Sequence, residues 1–74
     1  MPIVYQTSDA ELHRPKKERN QIHEYHDDMA ERVDCEVIGV TGQGPDIRRI
    51  SLEKECDVSG LEDWLGVDLV KLAD

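Results

Sequence analysis

The densest run of branched apolar residues lies between Cys35 and Leu52, and Gly42-Gln43-Gly44-Pro45-Asp46 interrupts it once. Val37, Ile38, Val40 and Thr41 before the break are strand-favouring types, and the break itself is dense in turn formers. Ile47, Ile50 and Leu52 continue the pattern after it. So short a connection predicts an antiparallel hairpin rather than a parallel crossover. Strict alternation puts Cys35, Val37 and Gly39 on one face of the first strand and Ile38 and Val40 on the other. That strand is therefore apolar on both sides, which calls for cover on each. The second strand loses its alternation at Arg48-Arg49.

Upstream, Pro2 to Thr7 reads as a short strand with Ile3 and Tyr5 on one face and Val4 on the other. Ser8 and Glu11 have capping-box spacing, but Pro15 follows at once and cannot sit inside a helix, so residues 8–14 read as a turn or short helical piece. From about Lys16 to Val33, Ile22, Tyr25, His26, Met29 and Val33 recur at 3–4 spacing. That periodicity predicts one long amphipathic helix. Downstream, Ser59 and Glu62 repeat the capping-box spacing, Leu61, Trp64 and Leu65 give a second, shorter helix, and Gly66 is its stop. Val67 to Ala73 reads as another helix or a last strand, and the branched run directly after a Gly stop favours the strand.

The order is β-α-β-β-α-β. It predicts an α+β fold of the ferredoxin-like, split βαβ kind, a single domain over residues 1–74 with the long helix packed on an antiparallel sheet. In that topology the second and fourth strands are edges. An edge as apolar as Cys35–Thr41 would need cover, a partner, or a second copy pairing through residues 35–41.

Charge changes the picture. Seventeen acidic residues against nine basic ones leave the 74-residue chain at −8. Such a balance argues against nonspecific binding of nucleic acid or anionic membrane and favours attraction to basic surfaces. An acid-rich surface is also what adaptation to a saline cytoplasm produces. Glu24, Asp27, Asp28 and Glu31 fall on the polar side of the expected long helix, while Arg14, Lys16, Lys17 and Arg19 crowd its start. That polarity opposes the helix macrodipole. It points to a binding surface, to pairing with Arg48 and Arg49, or to salt adaptation. Arg48 and Arg49 could themselves form a local anion site.

Candidate chemistry is sparse. His23 and His26 stand at i and i+3, where two imidazoles on a helix can share a metal, and His13, Cys35 and Cys56 could complete a set. However, the spacing matches no compact zinc module. A Cys35–Cys56 disulfide is conceivable, but two distant cysteines and no leader segment suggest a reducing cytoplasmic setting, which disfavours it. Gly42 and Gly44 lack the third glycine and following helix of a dinucleotide loop. No run is apolar enough to span a membrane. Ser8, Ser51 and Ser59 lie at caps or on a strand rather than in a nucleophile elbow, so no catalytic residue, cofactor or metal is assigned and an enzyme is not expected.

The leading expectation is a non-enzymatic protein-binding module that docks Glu24, Asp27, Asp28 and Glu31, joined by Glu53, Glu55, Glu62 and Asp63, on a basic surface. A specific form is an inhibitor or nucleic-acid mimic that occupies the groove of a nucleic-acid-handling enzyme. Small acidic inhibitors of phages and other mobile elements, anti-CRISPR proteins among them, have this size and charge. The alternatives are a dimeric ferredoxin-like regulatory or ligand-sensing domain and a small metal-binding domain.

Overall fold

The structure is a computed structural model that describes residues 1–72. Ile3–Thr7 (β1), Val37–Gln43 (β2), Asp46–Leu52 (β3) and Leu69–Lys71 (β4) form one sheet, in the order β2-β3-β1-β4. Every neighbouring pair is antiparallel. Helical elements are short: a 3₁₀ turn at Ile22–Tyr25 runs directly into His26–Ala30 (α1), and Ser59–Leu65 (α2) precedes β4. The chain is therefore α+β, with an antiparallel four-stranded sheet covered on one face.

The core follows from the strand period. Tyr5, Ile50 and Leu52 point to the same side and are buried, with Thr7 beside them. Tyr25 and Met29 from the first helical segment, Val33 just after it, and Leu61, Trp64 and Leu65 from α2 close over that side. On the opposite side Val4, Gln6, Thr41, Arg49, Ser51 and Val70 all escape burial, so this face is open to solvent.

Two bulges set the register of the hairpin. Val37 pairs with Leu52 but Gly39 with Ser51, and Thr41 pairs with Arg49 but Gly42 with Ile47. The first shift leaves Ile38 as an extra residue, 53% exposed, while Val37 is buried and Val40 packs against the core. This corrects the expected faces: both valines turn inward, so the strand is not apolar on two covered sides. The second shift leaves Arg48 extra. Ile47 and Ile50 are both fully buried, three positions apart, which two-residue alternation cannot deliver without such an insertion. A Cβ at Gly42 would run into the Asp46 carbonyl, so glycine is what allows the strands to approach there.

The long helix expected over residues 16–33 is absent. Lys16 to Gln21 is not helical, and helical structure is confined to residues 22–30. Glu24 Oε1 accepts the N–H groups of Asn20 and Gln21 at 3.0 and 2.8 Å, which closes the turn at its start. Arg19 folds back on Asp28, nine residues on. The unfavourable dipole polarity disappears with the helix, since the basic cluster lies outside it and Asp27 and Asp28 occupy the first turn of α1, where acids are favoured. The apolar stripe itself is largely retained, with Ile22 half-buried and Tyr25, Met29 and Val33 buried, but His26 is exposed.

Residues 8–14 contain no helix. Asp9 accepts the Glu11 N–H, and His13 bridges Ile47 through paired backbone hydrogen bonds. Gly66, with φ of 82°, ends α2 in the left-handed conformation, as a C-terminal stop requires. The last strand is shorter than expected, and Ala73, the end of the expected segment, lies outside the described residues. No helix among the described residues is long and apolar enough to cross a membrane.

Candidate functional site

The acidic residues separate into those the fold uses and those it leaves free. Asp28 leaves the surface: its side chain is 8% exposed, and Arg19 Nε and Nη2 donate to its two oxygens at 3.0 and 3.2 Å. The Arg19 hydrogen bonds hold its carboxyl below the usual carboxylate range, against an opposing effect of burial, and Arg19, Lys17 and Arg32 add favourable charge. Asp28 is thus answered by Arg19, not by Arg48 or Arg49. Glu24 is engaged with the backbone of Asn20 and Gln21. Glu62 accepts the Leu69 N–H at 2.8 Å, which ties α2 to β4.

The remaining predicted acids face solvent. Asp27 is 98% exposed, 3.7 Å from His26. Glu31 approaches Arg32 at 3.8 Å and Asp63 approaches Lys16 at 3.9 Å, and Glu55 meets Lys71 at 3.3 Å. Surface pairs of this kind contribute little and are screened by salt. Glu24, Asp27, Asp28 and Glu31 therefore do not share one free helix face, and Glu53, Glu55, Glu62 and Asp63 lie on and before α2.

A different gathering appears at the far end of the hairpin. Cys35 and Cys56 form a disulfide, contrary to the expectation drawn from a reducing compartment, because Glu53 N–H donating to Glu36 C=O at 3.0 Å lays the two segments side by side. Around this bond stand Asp34, Glu36, Glu53, Glu55 and Asp57, all exposed, with Lys54 the single base within 34–36 and 53–57. These eight residues carry −4, half of the chain's net −8. Asp57 spends one oxygen on the Ser59 N–H, a hydrogen bond that lowers its pKa. Glu53 and Glu55 belong to the predicted set, whereas Asp34, Glu36 and Asp57 were missed. The signal that could have found them is the matched acid–Cys–acid context of Asp34-Cys35-Glu36 and Glu55-Cys56-Asp57.

The metal ligands considered from sequence are not brought together. Cys35 and Cys56 are bonded to each other, His13 meets Asp9, and His26 Nε2 lies 3.3 Å from the Val37 carbonyl oxygen. Among the described residues no three His, Cys, Asp or Glu side chains converge. Comparison with protein-family models, curated proteins and solved structures finds no match to this chain.

The Arg19–Asp28 pair carries a pH prediction. Because the folded carboxyl titrates below its unfolded value of about 3.9, its contribution is complete above that pH and is lost as pH falls through the folded value. Asp28→Ala is expected to cost about 1–3 kcal/mol at pH 7. The gap between wild type and variant should narrow at pH 3. Urea denaturation at pH 7, 5 and 3 tests this, and a gap that stays constant or widens towards pH 3 would contradict the assignment.

Proposed function

We propose that the protein is a non-enzymatic binding module that docks carboxylates on a basic protein surface. The observation that supports this most directly is the concentration of half the net charge around the Cys35–Cys56 bond. Like charges gathered around a covalent link oppose its closure through mutual repulsion, so stability alone does not account for their placement. The docking surface is then Asp34, Glu36, Glu53 and Glu55, with Asp27, Glu31 and Asp63 as outlying contributors. A nucleic-acid-handling enzyme with a basic groove is the kind of partner such a surface would suit, which makes an inhibitor or nucleic-acid mimic, anti-CRISPR-like in class, the specific form of the reading. A cytoplasmic setting, which this form assumes, exposes the disulfide to a reducing thiol pool.

The test is binding to a panel of cationic nucleic-acid-binding enzymes at rising salt. Steered association followed by close contact predicts a complex that weakens steeply with ionic strength. The triple charge reversal Glu36→Lys, Glu53→Lys, Glu55→Lys should weaken it by roughly 100-fold or more if each reversal costs about 1 kcal/mol. A complex indifferent to all three reversals would remove the proposed surface.

A second reading is favoured by a separate observation. The strand order β2-β3-β1-β4 supports the ferredoxin-like, split βαβ description. It leaves β2 as an edge with Ile38 exposed, which suits a dimeric regulatory or ligand-sensing domain pairing through residues 35–41. Light scattering separates the two: a dimer that persists at low micromolar concentration favours this reading, and a monomer favours the first.

A further inference from the structure

We propose that the open face of the sheet carries a binding site for a phosphate group, built on Arg48 and Arg49. The bulge opposite Thr41 and Gly42 places these consecutive residues on the same face, between the buried Ile47 and Ile50. Bulges are a recurrent way to re-aim side chains beside functional sites. Here the result is two arginines that line one cavity in a chain whose net charge is −8.

Neither guanidinium meets a carboxylate among the described residues, although the other three arginines, Arg14, Arg19 and Arg32, each do. Arg49 Nε donates to Gln6 Oε1 at 2.7 Å, a contact that steadies the side chain while leaving both terminal nitrogens without an acceptor among the described residues. Among the described residues Arg48 Nε is buried without a hydrogen-bond partner, as is Trp64 Nε1. Buried donors are paired in the great majority of cases, and of these two residues Arg48 is the one that also lines a cavity on this face. Asp46, the nearest acid in sequence, is already held by Arg14 at 2.9 Å.

Both arginines line a cavity of about 110 Å³ together with Leu12, Thr41, Gly42 and Gln43. That volume has room for a group the size of one phosphate. Guanidinium edges bind phosphate through paired N–H donors, and Thr41 and Gln43 add neutral donors. A dianion satisfies both cations at once, whereas one carboxylate satisfies only one. The site lies at the start of β3, and the acidic cluster lies beyond its end, so the two are separate features of the same strand.

The experiment is titration of isotope-labelled full-length protein with sodium phosphate, followed by amide chemical shifts, with sodium chloride and sodium acetate at matched ionic strength and phenyl phosphate as a further arm. Saturable phosphate shifts confined to residues 12, 41–43, 48 and 49 are expected, with apparent affinity at least 10-fold weaker in Arg49→Gln. Stronger binding of phenyl phosphate would identify a monoester as the ligand, and stronger binding of inorganic phosphate would identify the free ion; both support the site. If Arg49→Gln loses spectral dispersion, Arg48→Lys keeps the charge but removes the paired donors and should weaken binding by a similar factor. Shifts that chloride or acetate reproduce, that never saturate, or that map elsewhere would overturn the proposal, as would undiminished binding in a folded variant.

Discussion

Tyr25→Ala is expected to remove most of the folding stability that the core supplies at room temperature. Tyr25 is fully buried, and its ring meets Trp64 edge-on with centroids 5.4 Å apart. Its hydroxyl donates to the Pro45 C=O at 2.8 Å and accepts the Arg19 N–H at 3.0 Å. One side chain therefore joins the hairpin turn, the irregular segment before α1, and α2. Truncating a buried aromatic costs about 3–5 kcal/mol, and a core of this size rarely supplies more than about 3–5 kcal/mol in total. The loss is comparable to what the core supplies, so the stability that remains rests largely on the Cys35–Cys56 bond.

Tyr25→Phe separates the ring from the hydroxyl. It keeps the packing against Trp64 and strands a carbonyl and an N–H, for a cost of about 1–3 kcal/mol. Trp64 is the only tryptophan and is buried, so its fluorescence reports unfolding in urea without a label. An alanine variant whose unfolding free energy stays within about 1 kcal/mol of wild type would show that Tyr25 does not hold these elements together.

The parts of the fold that were legible in the sequence are those where one local rule acted alone. The hairpin followed from branched residues on both sides of a Gly-Pro turn, and α2 from an apolar triplet closed by Gly66. The long helix was misread because Ile22, Tyr25, Met29 and Val33 satisfy helical spacing over a segment that is helical only from residue 22 to residue 30. Periodicity reports which side chains turn inward, and it does so equally well for short helical pieces. The basic residues at 14–19 were the contrary sign, since they sit where a helix start disfavours them. Both bulges were visible as failures of alternation, at Ile38 and at Arg48-Arg49, but a failure does not state its direction. The acidic cluster was hidden for another reason. Its two halves are 21 positions apart at their cysteines, and only the pairing of those cysteines brings the carboxylates together.

Reducing the Cys35–Cys56 bond is expected to destabilise the domain by about 3 kcal/mol, the loop-closure value for a ring of roughly 20 residues. With a urea dependence of roughly 1 kcal/mol per molar for so small a chain, the midpoint should fall by roughly 2–3 M. The double variant Cys35→Ser, Cys56→Ser should match the reduced protein. A shift below about 0.5 M, or two thiols titratable in the native protein as purified, would contradict the pairing. The bond also holds Asp34 and Glu36 against Glu53, Glu55 and Asp57, so release lets five carboxylates move apart. Relief of their repulsion favours the opened chain most where screening is weakest. The Debye length is about 30 Å at 0.01 M salt and about 8 Å at 0.15 M, so the reduced protein should lose more stability than the oxidised protein when salt is lowered over that range. Equal salt dependence of the two forms would mean that the carboxylates are too far apart to act as one surface, and the docking proposal would lose its basis with them.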